Sequence, residues 1–169
     1  KWFGDSRAID DSGKPLVVYH GTAADFAVFD PSRAGKNFDA GDVGMIFTTS
    51  RVDASDYAAN AAGAMRGRSG ENVMPVYVSL QNPLVISKDS DGRGEHWLIE
   101  NKKGIRPEIR KALLSGEYDG LIARDTGSKM AASGEPFTLV IALRPEQIKS
   151  AVGNRGTFSP ESANLLFQP

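Results

Sequence analysis

Short apolar runs fenced by glycine or proline leave this chain few ways to fold, because they do not alternate with helices long enough for parallel crossovers. Pro15-Leu16-Val17-Val18-Tyr19-His20, closed by Gly21, reads as a buried strand ending in a histidine. Gly44-Met45-Ile46-Phe47-Thr48-Thr49 reads as a second strand, followed by Ser50 or Asp53 as a helix cap and an alanine-rich helix from Ala54 to Met65. After the breakers Arg66-Gly67-Arg68-Ser69-Gly70, residues Val73 to Ile86 read as one strand kinked at Asn82-Pro83. Tyr118 to Arg124 and Phe137 to Leu143 are two further strands, joined by an exposed flap from Asp125 to Gly134. Short amphipathic helices are expected over His96–Glu100 and Pro107–Leu114, with one helical turn near Pro145–Lys149. The expectation is a single α+β domain over residues 1–169 with a mostly antiparallel sheet. The abrupt start at Lys1 reads as that of a piece excised from a larger protein.

Composition removes several function classes. With no cysteine there is no disulfide framework, thiolate nucleophile or thiolate-bound zinc. The two histidines, His20 and His96, are too far apart for a zinc-binding helix motif, so no metal is expected. Lys and Arg number 20 against 21 Asp and Glu, giving a net charge of −1 without the basic footprint of a duplex-binding protein. Nucleic acid is therefore not the expected partner, and neither is a membrane, since no stretch approaches the roughly 20 apolar residues that span a bilayer. The 18 glycines and 9 prolines exceed the roughly 12% of average usage and point to shaped loops, above all over residues 21–43.

His20 sits at the mouth of a strand beside Gly21, where a ligand could approach the backbone; it is equally readable as a strand-end cap. Thr22, Thr48 and Thr49 add hydroxyls near strand ends. Tyr57 lies one turn after Asp53 beside Ala54, Ala58 and Ala61, a stripe that suits either a planar ligand or close packing of helix on sheet. Arg33 and Lys36 could pair with phosphates or remain solvated. Glu135, Glu117 and Asp119 are the carboxylates to inspect for acid–base work, with Asp119-Gly120 also readable as a turn.

Taken in order, Trp2-Phe3-Gly4-Asp5-Ser6 and Gly13-Lys14-Pro15-Leu16-Val17-Val18-Tyr19-His20-Gly21-Thr22 resemble the opening of the ADP-ribosyltransferase domains of polyvalent proteins from phages and conjugative elements. Asp25-Phe26, Phe29-Asp30-Pro31, Gly44 to Thr49, Ala54 to Ala58, Asn82-Pro83-Leu84, Tyr118 to Ile122, Pro145 to Ala151 and Gly153 to Phe158 are similar to the later blocks of that family. The resemblance implies a split, mostly antiparallel sheet with short flanking helices and an NAD cleft. It implies NAD as substrate and transfer of ADP-ribose to a macromolecular acceptor, with protein the expected class. An inhibitor or immunity protein is a further implied partner, the state is expected to be monomeric, and the site of action cytoplasmic.

By position, the resemblance implies that His20 bonds the ribose of the adenosine half and that the Gly21 backbone holds the nicotinamide carboxamide. Tyr57 would stack on the nicotinamide, with Thr22 and Thr48 nearby, and the loop carrying Arg33 would face the adenosine and phosphates. Three positions depart from the family pattern. Ile46 replaces an aromatic, leaving Tyr57 and Phe47 to clamp the ring; Ala54 replaces a serine; and Leu139 stands where a catalytic glutamate is usual. Leucine there resembles transferases that add one ADP-ribose with help from the acceptor's carboxylate. Alternatively Glu135 enters the cleft where a bulge or flap near Pro136 reshapes the strand, since positions 135, 137 and 139 share a face in regular β-structure, or the domain binds NAD poorly and has lost activity.

Overall fold

The structure, a computed structural model, describes residues 2–24, 26–33, 43–64, 72–87, 105–126, 132–152 and 159–166. Lys36, the breakers at 66–70, the helix expected at 96–100, the middle of the flap and the Gly153–Phe158 block lie outside them.

Seven strands form one mixed sheet: β1 (Val17–Thr22), β2 (Met45–Thr48), β3 (Asn72–Val78), β4 (Leu84–Ser87), β5 (Gly120–Arg124), β6 (Leu139–Ala142) and β7 (Ile148–Ser150). The order is β4-β5-β6-β2-β1-β3-β7, and every neighbouring pair is antiparallel except β4 with β5. The α+β architecture expected from the sequence is the one observed. Its weakest joint is central: β1 pairs with β3 over six positions and β2 with β6 over four, but β1 meets β2 at one position, Tyr19 opposite Thr48. A seam thus runs between β4-β5-β6-β2 and β1-β3-β7.

Residues 73–86 do not form one kinked strand. The chain leaves the sheet after Val78, turns at Gln81-Asn82-Pro83, and re-enters at the opposite edge as β4 beside β5. Asp119 stabilises that turn: its carboxylate oxygens accept the N–H groups of Gln81 at 2.6 Å and Asn82 at 3.1 Å. Proline alone reports only that pairing is interrupted; the crossing depends on which strands have open edges. The sequence also missed β7, which follows a 3-10 turn at Pro145–Gln147. Gln147 is buried in that turn, accepting from the Leu143 and Arg144 N–H groups and donating to the Asp119 carbonyl at 2.7 Å.

Alternation along the strands divides the core into two layers. Val18, Phe47, Val76, Val78, Ile122, Val140 and Ile148 pack on one face of the sheet with Phe29 and Leu165. On the other, Leu121, Ala123, Leu139 and Ile141 meet Ile109 and Leu113 of α2 (Pro107–Leu114). That helix begins with Pro107, whose missing N–H would be unpaired there anyway, and runs out at Ser115 and Gly116, the glycine at φ 81°.

Helix α1 (Arg51–Ala64) starts at Ser50, whose hydroxyl accepts the Asp53 N–H at 3.2 Å, so of the two expected caps Ser50 acts. Its buried Ala54 and Ala58 bring the helix directly onto β1. A Cβ on Gly21 would stand 1.8 Å from the Ala54 carbonyl oxygen and 3.0 Å from the Ala58 nitrogen. Neither atom can yield without moving the helix. Gly21→Ala should therefore destabilise the fold by at least about 1–3 kcal/mol through overpacking, read as a lower urea midpoint. A Cβ on Gly44 would stand 2.4 Å from the Ala142 carbonyl, so the second strand's approach to β6 has the same requirement.

Candidate functional site

His20 is the best-defined polar group at the seam. Its Nδ1 lies 2.9 Å from the Ile46 carbonyl oxygen. A carbonyl only accepts, so Nδ1 carries the proton and the bond crosses from β1 to β2 just beyond their single paired position. In the neutral ring Nε2 is then the acceptor, and the described residues give it no hydrogen-bond partner. Phe29 approaches the imidazole edge-on with centroids 4.9 Å apart, Phe47 at 5.6 Å and Phe26 at 6.3 Å. Burial pushes the His20 pKa below the usual 6.5, outweighing the opposing pull of the Ile46 carbonyl. The result is a neutral, orientation-locked imidazole with one free acceptor, suited to taking a hydroxyl hydrogen.

The other expected residues fall into place around this ring unevenly. Phe47 is 1% exposed and belongs to the core against His20 and Phe29, so its ring is already packed on both neighbours. Gly21 points its α-carbon at α1, on the sheet face opposite the imidazole; the glycine is demanded by the helix. Ala54 and Ala58 likewise serve the packing of α1 on β1. Tyr57 stays 37% exposed on that helix, its phenol pushed up by burial and by the neighbouring carboxylates of Asp53 and Asp56. Thr22 Oγ1 accepts the Ala24 N–H and Thr48 Oγ1 the Ser50 N–H, which leaves each hydroxyl hydrogen to be donated. Arg33 closes the 3-10 turn Pro31–Arg33, and its side chain lies outside the description.

Leu139 sits opposite Thr48, 6% exposed, inside the layer covered by α2. A carboxylate on this backbone would be immersed among Ile105, Ile109 and Ile141, at a cost that leucine avoids. Glu135 is exposed, four residues ahead of Leu139. A turn with Gly134 at φ 68° precedes it, Ser133 Oγ bonds the Glu135 backbone, and pairing as β6 begins only at Leu139. Glu117 is exposed, and the Asp119 carboxylate is taken up by the turn at Gln81-Asn82.

One carboxylate escaped sequence reasoning, which treated it only as a cap. Asp53 is 5% exposed at the first turn of α1, where Thr49 and Thr138 hold β2 to the start of β6 by two hydrogen bonds. Burial pushes its carboxyl up, but the Ser133 and Ser50 hydroxyls and the Ser133 and Ala132 N–H groups together hold it below the usual aspartate value. Its Oδ1 accepts the Ser133 N–H at 3.4 Å, a long bond, while Oδ2 has no hydrogen-bond partner. An orphaned buried oxygen of this kind costs about 1–3 kcal/mol. Asp53 ties the helix bearing Tyr57 to the segment bearing Glu135. No helix among the described residues is long and apolar enough to cross a membrane, and no group of metal-ligating side chains occurs among them.

The lowered His20 pKa sets the sign of a pH effect. Between the folded value and 6.5 the unfolded chain binds the proton and the folded chain does not, so stability should fall as pH drops below 6.5. Urea midpoints measured from pH 7.5 downward should show this decline in the native chain. In His20→Gln the slope over that window should flatten, leaving the separate loss at lower pH where Asp53 takes up its proton.

Neither the curated proteins nor the solved structures contain a match to the chain. The family model described as ADP-ribosyltransferase in polyvalent proteins matches residues 10–158, a span that takes in every strand of the sheet and both helices. The chain belongs to the ADP-ribosyltransferases of polyvalent proteins.

Proposed function

We propose that the chain is an NAD-dependent mono-ADP-ribosyltransferase that releases nicotinamide and modifies a macromolecular acceptor, with protein the expected class. The observation that carries the reading is His20: membership in the family supplies the reaction type, and the fixed tautomer supplies an acceptor for a ribose hydroxyl. In the reaction the bond between ribose C1′ and the nicotinamide nitrogen breaks, its electron pair leaving with nicotinamide. The acceptor's nucleophile bonds C1′ and its proton is lost to a base. Catalysis then rests chiefly on holding the ribose while positive charge develops at C1′.

The base is the open position. Leu139 cannot serve and is packed in the core, which supports transfer of a single ADP-ribose assisted by the acceptor's own carboxylate. Glu135, exposed and on a turn, is a carboxylate of the chain that could reach substrate without unburying a charge. Tyr57, 37% exposed on α1, is the aromatic assigned to stack on nicotinamide in this reading, and Arg33 is assigned to the phosphates.

The test is nicotinamide release from NAD by the purified chain, alone and with cell lysate, beside His20→Ala and Glu135→Ala, each checked for folding by urea titration. His20→Ala should lower release by about 100-fold or more, from the lower end of the range for a group that handles hydroxyl protons upward. Loss in both variants identifies Glu135 as the carboxylate; loss in His20→Ala alone identifies substrate-assisted transfer. Nicotinamide without labelled protein would make the chain an NAD glycohydrolase. Absence of release from the native chain under every condition would replace catalysis with a binding role for the same fold.

A further inference from the structure

Lys149, in the middle of β7, is fully buried, yet its ammonium has been placed against backbone carbonyls and not in water. It donates to the carbonyl oxygens of Ser162 and Asn164, the latter at 3.1 Å. A buried ammonium persists only where its donors are met, so these carbonyls are what keeps it there. Burial pushes its pKa down, partly opposed by Glu146.

The carbonyls belong to residues 159–166, beyond the span matched by the family. This segment lies along the outer edge of β7, where the Ser150 N–H donates to the Leu165 carbonyl at 3.0 Å. It then meets the turn after β1: the Leu165 N–H donates to the Ala27 carbonyl at 2.9 Å, and Asn164 bridges Val28. The Leu165 side chain is fully buried in the same layer as Phe29 and Phe47. Phe26 and Phe29, on either side of Ala27 and Val28, stack edge to face at 4.8 Å and both bear on the His20 ring. A continuous set of contacts therefore runs from the Lys149 ammonium to the imidazole.

We infer that residues 159–166 form a strap, anchored by Lys149, that holds the Phe26–Phe29 turn against His20, and that Lys149 is a positioning residue for the imidazole. Lys149 touches neither His20 nor substrate. It acts by fixing a segment whose other side fixes the aromatic cover of the ring. The proposal rests on the transferase reading only in its activity arm; the placement of His20 can be measured without NAD.

The experiment follows the imidazole Cε1 proton of His20 by NMR through a pH titration of the full chain. The chain has two histidines, so His20→Gln assigns the signal. In Lys149→Met, which keeps the apolar stem and removes the donors, the His20 midpoint should move up toward 6.5 as its cover loosens. The KM for NAD in nicotinamide release should rise about five-fold while kcat changes less than about two-fold, the split expected when binding geometry is loosened and the reacting groups are retained. Lys149→Arg, which keeps charge and donors, should restore both values toward those of the native chain. Lys111→Met, on the exposed side of α2, should leave the titration unchanged. If Lys149→Met does not fold, Leu165→Val trims the strap at its other attachment and should give the same upward shift at smaller amplitude. A folded Lys149→Met or Leu165→Val chain with an unaltered His20 titration overturns the strap. An upward shift in a chain that never releases nicotinamide keeps the strap and rejects the transferase reading.

Discussion

The hydrogen bond from His20 Nδ1 to the Ile46 carbonyl sits where the sheet is least continuous. β1 and β2 share one ladder position, and this bond is the next polar link between the two halves. It does two things at once. It joins β1 to β2 beyond Tyr19 and Thr48, and by consuming the Nδ1 proton it leaves Nε2 as an acceptor. The phenylalanine rings at 26, 29 and 47 complete the effect, since they desolvate the imidazole and keep it neutral. The bond that joins β1 to β2 therefore also fixes the tautomer, and the neutral form that the fold prefers presents Nε2 as an acceptor.

A second constraint acts on the opposite face. Gly21 admits α1 so closely that a methyl group would meet the helix backbone, and Ala54 and Ala58 make the same allowance from the helix side. The same helix carries Tyr57, and at its first turn Asp53 accepts the Ser133 N–H ahead of β6. Leu139 is sealed under α2, while carboxylates stand on the α1 turn and on the segment before β6. A leucine in this place is consistent with its surroundings. What would be anomalous is a charge.

Much of the fold was legible because strand and helix signals are local. The runs ending at His20, Thr48 and Arg124 were readable from β-branched residues and their breakers, and α2 from Pro107 and Gly116. The family blocks were legible too, and they carried the candidate site as a set of positions. Illegible were features that depend on a partner far along the chain. β7 is three residues long with a lysine at its centre, a pattern with no apolar periodicity, and it is a strand because β3 and the segment 159–166 lie on either side. Residues 73–86 were misread because a break in pairing looks the same in sequence whether the chain resumes beside its old neighbour or at the far edge.

By itself the sequence determined most of the segments that extend, where α2 begins, that a histidine lies near the end of β1, and that no thiolate or clustered-histidine chemistry is available. Those properties follow from side-chain type and spacing, which act over a few residues. Only the tertiary structure decided that Gly21 serves a helix, that Phe47 and Leu139 are core, that Asp119 and Gln147 are turn fixtures, and that Lys149 is buried. Burial and hydrogen-bond partnership are set by which distant segments cover a residue, and that information appears once the seam, the two layers and the edge beyond β7 have closed around it.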